Sequence, residues 1–394
     1  MMSERKEITS RQVVELLVKS ALVAKLLTEY RDSEARLERA GIVARASGLK
    51  DLESYVLSEK SGLYYKWGRY DDGLALAELV FSTGAAADEK HLASALNTAG
   101  NIHLRRCQFQ EAERCFLQAL EHFRRLKMDI SIGTAINNLA NIYNIRGDLQ
   151  QAQQFYLEAL DRFERQNDIY RTAHAMYSIS QILLALKKTD QAKEYLDKSS
   201  ELRRSIQDYR GMANNLLMQI GIFAEEKDFG GAREKLRQAD DVIREYKLTD
   251  PHLNAYREGE AGAFYFLAGE YDKAEYSFLR MIDLSKHMKE ASYLAGSYSW
   301  LGRTRVFRDN NEAGIADIKK GLALAESSDL PYELKSAWGY LVECYCRLGD
   351  EPQAEMAAQG YAAVALKQGL NQQEIDSELL QLRGQQQDRE QQTN

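Results

Sequence analysis

The side chains best suited to chemistry are a few histidines and cysteines and a recurring set of amides. His103, Cys107, Cys115 and His122 fall within one stretch of the chain. Imidazole and thiolate ligands would suit zinc, but the spacing matches no finger, and helical phase sends the four to different faces. They read as core residues, and no metal is assigned. Cys344 and Cys346 are two apart, which points them in different directions on a helix. The chain has no glycine-rich phosphate loop, no HExxH and no CxxC. No catalytic residue and no cofactor is assigned, and the chain is not expected to be an enzyme.

The amides carry more information. Asn97 and Asn101 are four apart, and Asn137 and Asn141 repeat them 40 residues later. Tyr177 and Gln181 continue the two columns after another 40. Residues four apart share one helix face. Asparagine is a costly helix residue, so its recurrence asks for a reason. Each amide offers two donors and an acceptor, which suits the N–H and C=O groups of an extended peptide. The alternative is that the amides bond one another and fix the register between repeats. Asn144, His174 and Asn214 extend the strip. Arg303 stands in the Asn101 column, Arg347 lies on the same side of its own helix, and Arg305 and Arg308 are near in sequence. This set would clamp acidic residues of a ligand; a solvated basic face is the alternative.

These columns imply a repeat. ALNTAGNIHLRRCQFQEAERCFLQAL, from Ala95, and AINNLANIYNIRGDLQQAQQFYLEAL, from Ala135, match at a shift of 40. A small residue recurs at Gly73, Ala112, Ala152, Ala192, Ala232, Ala274, Gly314 and Ala354, at intervals of 39 to 42. Twelve residues before it come Ser61, Gly100, Ala140, Ser180, Ile220, Gly262, Gly302 and Val342, mostly small, so two helices can approach closely there. Gly68, Gly147, Gly269 and Gly349, five before it, supply a turn. Apolar spacings of three and four fill the intervals, so each unit gives two helices. The expected fold is all-α: a right-handed α-solenoid of about eight to nine repeats with a C-terminal capping helix. Residues 1–50 read as a degenerate first repeat or cap, with Ala35 near the anchor column. Residues 51–368 form the solenoid, 369–384 the capping helix and 385–394 a disordered Gln-rich tail.

The formal net charge of −7 argues against direct nucleic-acid binding. Four cysteines in 394 residues make no disulfide framework, and a cytoplasmic location is expected. Glu15, Lys19 and Lys25 interrupt the apolar N-terminal stretch, which reads as an amphipathic helix and not a membrane span. Its outer face, taken as Val13, Val14, Leu17 and Ala24, has no repeat before it. A homodimer or a docked partner is expected there.

NNLANIYNIRGDLQQAQQFYLEAL resembles a tetratricopeptide repeat (TPR), and the resemblance covers roughly residues 50–368. The 40-residue period is similar to the long variant found in kinesin light chains, spindle-orientation adaptors and bacterial regulators. The resemblance implies that the first helix of each pair lines a concave groove. It implies a protein- or peptide-binding scaffold or adaptor, active in signalling. The alternative is a Rap-like peptide-sensing regulator that controls a response regulator or transcription factor. The chain departs from the common 34-residue form in its period and in lacking the proline at the repeat end.

Overall fold

The computed structural model describes residues 9–82, 88–288 and 290–390, with side chains through 384. Nineteen helices and no strand occur among the described residues. The first six are α1 (Ser10–Leu26), α2 (Tyr30–Ala46), α3 (Lys50–Trp67), α4 (Tyr70–Ser82), α5 (Glu89–Arg105) and α6 (Phe109–Arg125). Then come α7 (Asp129–Arg146), α8 (Leu149–Arg165), α9 (Ile169–Ala185), α10 (Thr189–Ser205), α11 (Tyr209–Glu225) and α12 (Phe229–Glu245). The last are α13 (Pro251–Leu267), α14 (Tyr271–Met288), α15 (Ala291–Val306), α16 (Asn311–Ser327), α17 (Pro331–Arg347), α18 (Glu351–Lys367) and α19 (Gln372–Glu390). The chain divides into two compact units, residues 1–142 and 143–394. In each unit a helix packs most closely on its chain neighbour, and several first helices also meet the first helix of the next pair, as α3 meets α5 and α11 meets α13. This is the stacking of an α-solenoid.

In most repeats two left-handed residues make the chain reverse. One stands five before the anchor, at Gly68, Gly147, Gly269 and Gly349, and also at Cys107, Lys187, Lys227 and Asp309. Only the glycines among these are legible as turn formers. The other closes the second helix, at Lys127, Asn167, Gln207, Lys247, Asp329 and Gly369. Aspartates then restart several helices; Asp168, for example, accepts the N–H of Arg171 at 3.0 Å.

The first pair is a complete repeat and not a degenerate one. Its anchor is Ser33, not Ala35. Ser33 is buried and donates its hydroxyl to the carbonyl of Ala21, twelve residues earlier, at 2.8 Å. In the next repeat the roles are exchanged: Ser61, twelve before the anchor, donates its hydroxyl to the carbonyl of the anchor Gly73, also at 2.8 Å. Thr28 and Gly48 hold the left-handed positions. Nine helix pairs therefore precede α19 among the described residues. The outer face of α1 also differs from expectation. Val14 and Ala24 are buried in the core shared with α2 and α3, and Leu17 is half-buried. Leu16, Val23, Leu26 and Leu27 are the exposed apolar residues.

The capping helix packs Ile375, Leu379 and Leu382 against Tyr361 and Trp338. It runs to Glu390, past the boundary expected at 384; residues 391–394 of the expected tail lie outside the described residues. Among the described residues, no helix is long and apolar enough to cross a membrane.

Candidate functional site

In each unit several first helices lie against one another, as α3 with α5, α11 with α13 and α15 with α17, and the two units are described in turn. In unit 1 the amides do not form an open row. Asn97 accepts a hydrogen bond from the Nδ2 of Asn138, one repeat on, at 3.1 Å. Asn137 is 8 % exposed, and its Oδ1 is buried without a partner among the described residues. Asn101 is half-buried, and Asn141 is half-buried and engaged. The Asn97–Asn138 bond fixes the register between two repeats, which is the alternative role for these amides.

His103 bonds Gln108 at 2.7 Å, and His122 pairs with Glu89 at 2.9 Å. Cys115 is buried among apolar residues and Cys107 occupies a turn, so each of the four serves its own locality.

Unit 2 presents a different surface. Its stack curls until Gln368, after α18, lies against Gly147, the turn after α7; a Cβ on Gly147 would stand 2.8 Å from the Cγ of Gln368. The wall inside this curl carries His174, Tyr177 and Gln181 from α9 and Asn214 from α11. His174 and Gln181 are exposed, and Tyr177 and Asn214 are half-buried. Asn144 is half-buried at the start of the unit.

Here the structure adds residues that the columns did not reveal. Tyr256 and Glu260 project from α13, Tyr293 from α15, Tyr332 and Glu333 from α17, and Glu225 closes α11. The Tyr256 hydroxyl lies near both the Tyr177 hydroxyl and the Glu260 carboxylate and influences the titration of each. The Glu260 carboxylate rests against Gly221 of α11; a Cβ there would meet it at 3.2 Å. Tyr332 is 68 % exposed by area, yet burial within the surrounding protein raises its hydroxyl pKa, with Glu333, Glu260 and Glu225 adding to the rise. Water reaches it, but protein surrounds it.

The carboxyls share that environment. Desolvation pushes Glu260 up to about 8; Glu225 adds to the rise, and the Tyr256 hydroxyl opposes it. Glu225 is raised by burial and by Glu226, against Lys187. Glu333 is raised by burial, against a hydrogen bond from Ser292. Folded Glu260 thus holds its proton between its ordinary 4.5 and about 8, where the unfolded chain has released it. Stability is lost as pH rises through that window. Glu260→Gln is expected to change melting little near pH 5 and to stabilise by on the order of 1–3 kcal/mol near pH 9. Melts at both values check this; an equal gain at both would contradict it.

Most of the basic residues are engaged elsewhere. Arg303 is 7 % exposed and forms a two-point ion pair with Glu343, at 2.7 and 2.9 Å. Its guanidinium lies over the rings of Phe266, Trp300 and Tyr340, at 4.2, 5.0 and 4.8 Å. It cannot meet acidic residues of a ligand, because its carboxylate is supplied internally. Arg347 is exposed and stacks on Phe307 at 4.7 Å. Arg305 pairs with Glu275 at 2.9 Å and Asp317 at 2.5 Å, and Arg308 pairs with Asp272 and Glu275. Arg203, beside Tyr177, pairs with Asp208 at 2.6 Å. The wall of unit 2 is therefore tyrosines, amides and carboxyls. It offers flat apolar rings with polar edges, the composition that holds a peptide by stacking and hydrogen bonding.

Residues 131–205 match the family model for the tetratricopeptide repeat. The same pairing of helices continues on both sides of that segment, and the fold is of the tetratricopeptide-repeat type. Among solved structures, it is similar to a Rap protein complexed with competence and sporulation factor, at 15 % identity and a TM-score of 0.71, covering 92 % of this chain and 99 % of that one. It is also similar to NprR in complex with its cognate peptide NprX, at 12 % identity and TM-score 0.58, covering 90 % and 89 %. Aspartyl phosphate phosphatase F from Bacillus subtilis matches at 13 % identity and TM-score 0.55, covering 94 % and 96 %. A search of curated proteins finds no match. At these identities the likeness is one of fold.

Proposed function

We propose that the chain is a non-catalytic scaffold that binds a segment of another protein, or a free peptide, on the inner wall of unit 2. The observation that carries this is the set Tyr177, Tyr256, Glu260, Tyr293 and Tyr332. These residues sit on four different first helices and face a space that water enters but protein surrounds. Keeping partly hydrated tyrosines and carboxyls in such a place costs desolvation. The core of the repeats gains nothing from them, whereas a bound segment would use them. A preformed wall also binds with little ordering of the protein itself.

The Rap-like reading is the narrower one. It makes the chain a peptide-sensing regulator, and it is favoured by a fold match that spans nearly the whole of a Rap protein complexed with competence and sporulation factor. Both readings use the same wall and suit a cytoplasmic signalling protein with free thiols. Selection from a displayed library of random short peptides tests them together. Peptides enriched on the intact chain should lose at least tenfold in affinity to Tyr177→Ala/Tyr256→Ala while helicity is retained, since each buried aromatic contact and hydrogen bond contributes about 1 kcal/mol or more. Enriched peptides that bind the double variant equally well would place the site elsewhere.

A further inference from the structure

On the first helix pair, one face is covered by no described helix of unit 1. Ion pairs to α3 establish which way that face points. On α1, Arg11 reaches Asp51 at 2.8 Å and Lys25 reaches Glu59 at 3.1 Å. On α2, Glu38 meets Lys60 and Glu34 meets Arg69, each at 3.0 Å. The opposite faces of these helices, by helical phase, carry Val13, Leu16, Ser20, Val23 and Leu27 on α1, and Asp32, Arg36, Arg39 and Val43 on α2. Leu16, Val23 and Leu27 are 59, 57 and 63 % exposed.

Two properties of this face select its occupant. The apolar stripe reads nearly the same in both directions from Ser20, with Val13 and Leu27 at seven residues and Leu16 and Val23 at four and three. A small residue at the centre lets two such helices cross closely. The charges on the outer face of α2 and its N-cap are also ordered: Glu29 and Asp32 come first, Arg36 and Arg39 after. Glu29 and Arg39 are exposed, and Asp32 and Arg36 pair at 2.7 Å while 46 and 40 % exposed. Inverting the face about Ser20 lays its acidic end over its basic end. A partner of single charge sign would meet repulsion over half of the surface, whereas an inverted copy meets attraction throughout.

We infer that this face is a two-fold interface with a second copy of the chain, with α1 antiparallel to its counterpart across Ser20, Arg39 against Glu29 of the second copy and Arg36 against its Asp32. An isologous contact of this kind closes on itself. The inference stands independently of what the wall of unit 2 binds.

Light scattering on the intact chain over a range of concentrations tests it. A particle of about twice the 44.9 kDa chain mass is expected. Leu16→Glu/Val23→Glu should give a monomer of unchanged helicity. Arg39→Glu and Glu29→Arg should each weaken the dimer at least tenfold, and combining them in one chain should restore it. Ser20→Cys should yield a disulfide-linked dimer under mild oxidation that the wild type does not form. A wild-type chain that is monomeric at every concentration overturns the inference. So does a dimer that survives Leu16→Glu/Val23→Glu, or a double charge reversal that fails to restore what the single ones remove.

Discussion

Glu343→Ala is expected to cost about 3–5 kcal/mol of folding stability, because it strands the Arg303 guanidinium among rings with no carboxylate to face. The pair is nearly closed to water, with side chains 8 and 4 % exposed. Phe266, Trp300 and Tyr340 enclose the cation, so water cannot substitute for the lost partner. Desolvation has already been suffered by both groups, and only their mutual bonds offset it. Removing both should therefore harm less than removing one: Arg303→Met/Glu343→Leu is expected to recover most of the loss. Urea melts of the single and double variants decide it. A loss under about 1 kcal/mol for Glu343→Ala would mean that the pair is hydrated in solution.

The second large effect comes from a single methyl group. Gly302 of α15 and Gly314 of α16 face each other where two helix backbones nearly touch. A Cβ on Gly302 would lie 2.3 Å from the Gly314 carbonyl oxygen and 2.7 Å from the Ile318 nitrogen. Those are backbone atoms and cannot swing aside, so the helices must separate and the core around Val306 and Ile318 must loosen. Gly302→Ala should destabilise by about 3 kcal/mol, at the upper end of overpacking effects. Gly296 lies on the same helix with nothing within 4 Å of its would-be Cβ. There the same change should stabilise by about 0.5–1 kcal/mol through helix propensity alone. Opposite signs from one substitution in one helix would confirm that contact, not propensity, sets the glycine at 302. Thermal melts showing the same sign for both would contradict the close approach.

These two sites show what the sequence made legible. The column twelve before the anchor pairs with the anchor in space, as Ser61 with Gly73 and Gly302 with Gly314, so small residues at both positions were a sound guide to helix contacts. The first repeat was misread by two residues because Ser33 and Thr28 do the work that alanine and glycine do elsewhere. A serine can hydrogen-bond its way into a close contact, and a threonine can be forced left-handed by the turn around it.

The site was legible only in part. The column eleven before the anchor holds Asn101 and Gln181, open to water to differing degrees, and also Arg303 and Glu343, which are buried. Position on a helix was the same; what packed over it differed, since Trp300 and Tyr340 cover the later members. Opposite charges at 40 residues' separation were the sign that this pair is internal. Glu260, Tyr293 and Tyr332 left no repeat signal, because each occupies a different column. Only the abundance of tyrosine, 22 residues, hinted at a wall built from rings.

The most direct measurement of that wall is photocrosslinking from inside it. A benzophenone amino acid replaces Tyr332 on α17 in one variant and Tyr276 on α14 in another; both native side chains are well exposed, at 68 and 63 %. The first belongs to the inner helix of its pair and the second to the outer. A library-selected peptide bound to the intact chain should crosslink from position 332 and not from 276. Crosslinking from 276 alone, or equally from both, would contradict binding on the inner wall of unit 2.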